Sequence, residues 1–468
     1  MKKFWVFLLI AVFSVSMLAL GVGCKTGGTT AEETTAAATT AAATTAAAET
    51  TAAETSAETS GEPIVITVWD WQSGATAYDN SLTEINALYQ QKHPNVTIER
   101  TGYNLSEYGE LIKTAIQSGT LPDLFGLYQG TQEREVEKTG VLYEWDDAIN
   151  ADPEWKANLG KNYGIGGTLS ADGKTIAISY DIFYVGTFGY RNVLENMGSS
   201  EEEVKSLKSY KELGDLCQKF KAAGESTFYL TAGLAGGYLL RETFYSWVYS
   251  VAKDFNYVYE AENGKRSWTE EPFILAAEAV KETSRMMRED TQALDAQTDS
   301  YALLLNQECW GSWYEGPWST GILLDNPTAI ENVFCFFKPP IAPDATPNSW
   351  WADAGQVLSM TKDNPKKEQI LEYAKFLTTE EVSAIFIKNL VHPFGKFPAN
   401  WKEIAGYPVY AEMVDMYNNS SIGPWICYTP DVEQALLDNL SLIYRGDITP
   451  LEGMKKVDEA TKAYWATQ

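Results

Sequence analysis

Indole rings and short polar side chains are gathered together in this chain. Trp69-Asp70-Trp71-Gln72 places two indoles, a carboxylate and an amide in four residues. Trp310-Gly311-Ser312-Trp313-Tyr314-Glu315-Gly316-Pro317-Trp318 is denser still, Trp350-Trp351-Ala352-Asp353-Ala354-Gly355 repeats the theme, and Trp425 follows Gly423-Pro424. The 15 Trp are far more than an ordinary chain of 468 residues carries. Flat rings cover weakly polar C–H faces, and Asp, Glu, Asn, Gln or Arg take hydroxyl groups at a rim. The chemistry such groupings suit is non-covalent recognition of a polyhydroxyl molecule. A hydrolytic alternative of the retaining kind needs two carboxyls about 5–5.5 Å apart, one of them with a raised pKa. Asp70, Asp123, Glu315 and Asp353 can be written into such a pair, but 63 Asp and Glu make candidates inevitable.

The remaining chemistry is sparse. His93 and His392 are the only histidines, so there is no H-E-x-x-H zinc motif, and a Ser-His-Asp centre would have to use one of those two. No D-x-[DN]-x-[DN]-G calcium loop is present, and neither a metal nor a cofactor is expected. A formal charge of −27 repels nucleic acid and anionic membrane surfaces, so neither is an expected partner. Cys217, Cys309, Cys335 and Cys427 match no zinc ribbon; outside a cell they permit disulfides, and buried thiols fit them equally well.

The elements that must position these groups read as α/β. Ile64 to Trp69 is a β-branched run of the kind a strand uses, and Val96-Thr97-Ile98 and Leu124 to Tyr128 read as two more. Ser81 with Glu84 reads as a capping box opening a first helix that His93-Pro94 stops, and Ser106 to Ser118 reads as a second. Strand, helix, strand, helix, strand is the pattern of a doubly wound α/β lobe with a parallel sheet, whose ligands bind beyond the carboxyl ends of the strands. That places Asp70, Trp71 and Gln72 at the end of the first strand and Gln129 at the end of the third. Asp70 and Gln72 suit hydroxyls and Trp71 a ring face, whereas Trp69 keeps the strand register and belongs to the core. Gln129 fits either a ligand contact or a helix cap. Further helices are expected over Lys205 to Ala223, over Glu271 to Met287, from Asn364-Pro365, from Thr378 with Glu381, and from Thr449-Pro450-Leu451-Glu452; a strand is expected over Thr175 to Ile178.

The beginning of the chain is an address. Lys2 and Lys3, the apolar run Phe4 to Leu20, and Gly21-Val22-Gly23 before Cys24 have the form of a secretory signal over residues 1–23. The small residues ahead of Cys24 resemble the lipobox of bacterial lipoproteins, although Gly21 stands where that motif usually has Leu. The resemblance implies diacylation of Cys24 and a lipid as the anchor. From Lys25 to Glu62 the chain is nearly all Thr, Ala, Gly, Ser and Glu, so residues 24–62 read as a lipidated, disordered tether. A flexible chain of that length spans roughly 35 Å.

Ordered along the body are Ile66-Thr67-Val68-Trp69, Leu88 to Pro94 before Val96-Thr97-Ile98, Ile116 to Leu124 with Gly119-Thr120-Leu121-Pro122-Asp123, and Gly140-Val141-Leu142. Then come Asp172-Gly173-Lys174-Thr175-Ile176-Ala177-Ile178, Gly189-Tyr190-Arg191-Asn192 and Gly316-Pro317-Trp318. Together these resemble the extracellular solute-binding proteins of bacterial ABC importers that take up sugars, over nearly the whole chain after the leader. One departure is Ser179, where the family has Pro, at the head of a long aromatic crossover from Tyr180 to Tyr190.

The resemblance implies two doubly wound α/β lobes of the type II periplasmic-binding kind joined by a hinge. It places a first lobe at residues 63–178 plus 330–390 and a second at 179–329 plus 391–468. It implies a monomer on the outer face of a bacterial cell membrane that is not an enzyme. Such a chain captures a sugar or oligosaccharide between its lobes and hands it to permease subunits driven by an ATPase. It also implies that Trp318 stacks on sugar from the second lobe and that Trp351 and Asp353 reach the cleft from the first. Glu315 then suits either hydroxyl binding or a solvated loop. Trp425 suits stacking or burial; Trp310, Trp313 and Trp247 suit the core, and His392 a structural place. The alternatives are a secreted glycoside hydrolase, a binder of a non-sugar solute, and a lipoprotein sensor that reports its ligand to a receptor.

Overall fold

The first strand shows why the chain begins to fold where it does. In β1 (Ile64–Asp70) the side chains of Ile66, Val68 and Asp70 are buried while those between them are more open, so one face of the strand enters the core. In the computed structural model, residues 61–72, 76–103, 105–128, 130–254, 256–296, 298–346, 351–422 and 429–467 are described. They belong to one unit. The leader, Cys24, the tether up to residue 60, Gln129, Trp350, Trp425 and Cys427 lie outside the described residues, as does the side chain of Trp351.

After β1 come α1 (Thr76–Lys92), β2 (Val96–Gly102), α2 (Leu105–Ser118), β3 (Leu124–Gly126) and α3 (Thr131–Glu137). The strands β4 (Ile178–Ser179), β5 (Ile182–Tyr184) and β6 (Thr187–Tyr190) follow closely, then β7 (Leu230–Thr231), β8 (Gly311–Ser312) and β9 (Val333–Phe336). The last strands are β10 (Trp351–Ala354), β11 (Val357–Ser359) and β12 (Ser421–Ile422).

These strands form three sheets. The first has the order β2-β1-β3-β11-β4. Its β1 pairs in parallel with β2, from Ile64 opposite Val96 to Asp70 opposite Gly102, and in parallel with β3. The expected parallel sheet is interrupted by β11, which runs antiparallel to β3 and β4 because the chain re-enters this sheet from the other side. The second sheet, β7-β8-β6-β9, is mixed in direction. Between them β10 pairs antiparallel with β5 and parallel with β12, so these strands link the two larger sheets. Strand β9 lies within residues 330–390, the span assigned to the first lobe, yet pairs along its whole length with β6 of the second sheet. The return crossing therefore comes later, between β9 and β11. A β-branched and aromatic run such as Val333-Phe334-Cys335-Phe336 does not reveal which sheet it joins.

Several helix boundaries move for identifiable reasons. The first helix begins at Thr76, ahead of Ser81, whose hydroxyl donates to the Ala77 carbonyl at 2.7 Å instead of capping. Asn364 makes an Asx turn, accepting from the Lys366 N–H at 2.9 Å, and its helix starts at Lys367. The cap expected at Thr378 is made one residue later, by Thr379 to the Val382 N–H. The helix expected over 205–223 is two, Glu201–Ser206 and Tyr210–Ala222, each opened by a serine cap. The helix from Glu271 stops at Thr283 and tightens into a 3-10 turn. At Thr449 and Glu452 the expected capping box forms in both directions. The strand expected over 175–178 begins only at Ile178, Thr175 making a single bridge to Leu169. Cys217, Cys309 and Cys335 are buried free thiols.

Candidate functional site

At the carboxyl ends of β1 and β3 the structure assembles one aromatic wall. The half-buried Trp71 sits 5.6 Å from Tyr128, edge to face, and 5.7 Å from Tyr108. The Tyr108 hydroxyl donates to the carbonyls of Trp69 and Gly126, both at 3.0 Å, tying the two strand ends together. Trp69 packs edge to face on Tyr103 at 5.5 Å and belongs to this support.

Asp70 is committed beneath that wall. Its carboxylate receives Arg100 Nε at 2.5 Å and Nη2 at 2.8 Å, and the Gln72 N–H at 3.0 Å. Arg100 also donates to Asp79 at 2.8 Å and to the Gln72 carbonyl at 3.2 Å. The two-pronged ion pair fixes the turn that carries Trp71, so Asp70 positions the ring and has its oxygens occupied. Asp123 is tied in a similar way. Burial pushes its carboxyl up, but Lys366 at 2.8 Å and the N–H and hydroxyl of Thr67 at 2.9 and 3.0 Å hold it below the usual range.

A second wall comes from the link and from the second sheet. Phe183 of β5 stacks on Trp318, centroids 4.5 Å apart and planes 14° apart, and Tyr314 tilts against the same indole at 6.1 Å. Trp318 is half-buried and follows Pro317 in the short helix Pro317–Thr320. Gly316 is required there by space: a Cβ would lie 2.2 Å from the Trp318 ring and 2.3 Å from the Tyr184 carbonyl. Gly316→Ala is expected to lower stability by about 1–3 kcal/mol through overpacking, read from a urea midpoint. A variant as stable as the parent would show that the indole is not clamped.

The polar groups of this wall are unusual. The backbone of Glu315 exchanges two hydrogen bonds with Gly186, at 2.5 and 3.1 Å, which leaves its side chain turned inward. Glu315 Oε2 is buried without a hydrogen-bond partner among the described residues, and burial pushes the carboxyl up to about 8 against hydrogen bonds from Ser319 and Trp318. Tyr301 lies close enough to Glu315 and Trp318 to be affected by both. The Tyr314 hydroxyl donates to Glu242, which burial raises to about 7 despite Arg241. Burial, Glu242 and, more weakly, Tyr128 and Tyr238 hold the Tyr314 hydroxyl protonated, well above the ordinary tyrosine range.

The link is held by acids of its own. Asp353, fully buried on β10, accepts from the N–H groups of Gly167 and Ala354, both at 2.7 Å. Asp181, raised by burial to about 6, accepts from the Tyr78 hydroxyl at 2.7 Å and the Gln356 N–H at 2.5 Å. His392 packs against Tyr184, Tyr417 and Phe397, with Nδ1 at 3.2 Å from the Tyr184 hydroxyl. Burial and Lys161 push it down to about 3, so it is neutral. Trp310 and Trp313 are fully buried, Trp313 donating to the Tyr210 hydroxyl at 2.7 Å, and Trp247 is buried beside it.

Among the residues named from sequence, Trp71 and Gln72 thus lie on the first wall, Glu315 and Trp318 on the second, Asp70 beneath the first and Asp353 in the link. Sequence reading missed Phe183, Tyr301, Tyr314 and Glu242. The aromatic richness of the crossover and of the Trp310–Trp318 segment pointed toward Phe183 and Tyr314; no sequence signal pointed to Tyr301 or Glu242. Among the described residues no group of three His, Cys, Asp or Glu is placed to hold a metal ion. No helix of the described residues is long and apolar enough to cross a membrane.

The buried acids set a pH dependence. Glu315 and Glu133 are raised to about 8 and Glu242 and Glu262 to about 7, in each case chiefly by burial. Such a folded chain holds protons that the unfolded chain has already released, so these groups favour folding at low pH and lose that contribution as pH rises through 7 and 8. His392 acts oppositely: the unfolded chain takes up its proton below about 6.5 while the folded chain does not. Four carboxyls outweigh one imidazole, so stability is expected to fall as pH rises from about 4.5, the ordinary glutamate value, toward 8. Urea midpoints that rise across that interval would contradict the buried carboxyls.

Comparison with known proteins fits this architecture. The model of the family described as bacterial extracellular solute-binding protein matches residues 69–384. The chain belongs to that family. No curated protein matches the chain by sequence. Among solved structures, one from work on xylan utilization by the thermophilic bacterium Caldanaerobius polysaccharolyticus is 18% identical, with a TM-score of 0.69 over 84% of this chain and 99% of that one. An ABC transporter solute-binding protein from Thermotoga lettingae, bound to α-D-tagatose, is 16% identical, with a TM-score of 0.68 over 85% of this chain and 98% of that one. The GacH receptor of Streptomyces glaucescens, solved unliganded and with acarbose, is 16% identical, with a TM-score of 0.66 over 86% of this chain and 98% of that one. The fold is therefore that of type II periplasmic-binding-like proteins, two α/β lobes joined by a hinge.

Proposed function

We propose that this chain is the lipid-anchored, substrate-binding component of a bacterial ABC sugar importer. It takes a sugar or oligosaccharide between the Trp71 wall and the Trp318 wall, closes by hinge motion and delivers the ligand to permease subunits. What supports the proposal is that Trp71 and Trp318 are both half-buried indoles and that the buried Glu315 carboxyl has an Oε2 without a partner among the described residues. Tagatose and acarbose in the related structures support the ligand class. Trp351, Gln129 and Trp425 are proposed as further contacts, and Cys24 as the lipidated residue. In this reading the molecule is a monomer on the outer face of the cell membrane and performs no chemistry on its ligand.

A hydrolytic role draws little from the site, because Asp70, Asp123 and Asp353 are each committed to internal hydrogen bonds. The test is a thermal-shift screen of the purified chain against neutral oligosaccharides. A ligand that prefers the folded state raises the melting temperature, by an amount that grows with its concentration over Kd. One or more saccharides should do so without being cleaved. Release of reducing sugar would move the chain to the hydrolases.

A further inference from the structure

Gln356 immediately precedes β11, beside the carboxyl ends of β1 and β3. Its backbone is engaged: the N–H donates to Asp181 at 2.5 Å and the carbonyl accepts from the Ser179 hydroxyl at 2.9 Å. Its side chain is 1% exposed, and neither Nε2 nor Oε1 has a hydrogen-bond partner among the described residues. Burying an unpartnered amide is costly, and a leucine of similar volume would avoid that cost. The amide stands next to the first indole. A Cβ on Gly126 would lie 2.6 Å from Gln356 Nε2 and 2.7 Å from the Trp71 ring, so Gly126 is what lets amide and ring sit side by side. Ligands of open α/β sheets bind in this crevice beyond the strand ends.

We propose that Gln356 reads the ligand, its amide gripping two adjacent hydroxyls of a neutral sugar whose ring stacks on Trp71. An amide offers donor and acceptor in one plane, so one hydroxyl accepts from Nε2 while its neighbour donates to Oε1. Opening of the lobes or a swing of Trp71 uncovers the amide for this contact. A sugar deoxygenated at either position leaves one amide atom unpaired and is rejected. This rests on the sugar-binding reading above and adds to it a requirement for a free vicinal diol.

The test uses Gln356→Leu and Gln356→Met in the full body of the protein, with xylotriose, cellotriose, maltotriose and triacetylchitotriose as probes. Calorimetry should show affinity for the sugars that the parent binds falling about ten-fold or more in both variants. The melting temperature without sugar should be unchanged or higher, since an unpartnered buried amide has been removed. Affinity within two-fold of the parent in either variant overturns the inference alone and leaves the sugar-binding reading intact. So does a loss of folding in both variants, which would make the amide structural. A parent that binds none of the four overturns the inference together with the reading beneath it.

Discussion

Replacing Arg100 by alanine is expected to remove about 3–5 kcal/mol of folding stability, because it strands the Asp70 carboxylate in the core without its counter-charge. Asp70 is 1% exposed and the Arg100 side chain 14%, so water does not take over the role of the guanidinium. The loss should appear as a large fall in urea midpoint with little change in slope. The double variant Asp70→Leu with Arg100→Met should recover much of it, since the penalty comes from an uncompensated charge and not from lost attraction. Sugar affinity should fall as well, because Arg100 also holds the Gln72 carbonyl and thereby the turn that carries Trp71. A loss below about 1 kcal/mol would place the pair among exposed ion pairs of little worth.

The second large effect is on binding. Trp318→Ala should weaken the affinity for sugar about ten-fold or more while leaving the chain folded, since a lost stacking face is worth about 1–2 kcal/mol. Phe183 already covers one face of the indole, so the proposal assigns the ligand to the other. Trp318→Phe should keep part of the affinity, as a smaller plate stacked on the same partner. Unchanged calorimetric affinity in Trp318→Ala would remove this residue from the site.

Much of the fold was legible, because strand and helix leave different periods in the sequence. The run from Ile64 to Trp69 announced β1, and Thr449 with Glu452 announced the last helix down to its cap. Ser81, Asn364 and Thr378 were misplaced by one to five residues, since each has a side chain that can cap but finds a nearer partner once packed. The membership of β9 was hidden because sheet pairing is a long-range choice that a four-residue apolar run does not encode. For the candidate site, indoles in loops were the signal, and Trp71 and Trp318 are proposed from it. Asp70 shows the limit: a carboxylate beside two tryptophans looks like a hydroxyl acceptor until Arg100, thirty positions away, is brought under it by the parallel pairing of β1 with β2. Gln356 was invisible for the converse reason, being an ordinary polar residue just ahead of β11 whose place comes from what lies opposite.

The central claim is that two lobes shut over a saccharide held between indole faces. Small-angle X-ray scattering of the purified protein, with and without a saccharide that raises its melting temperature, tests this most directly. A smaller radius of gyration in the loaded sample is the predicted outcome. Superimposable curves at saturating ligand would contradict closure, and with it the route by which this chain presents its cargo.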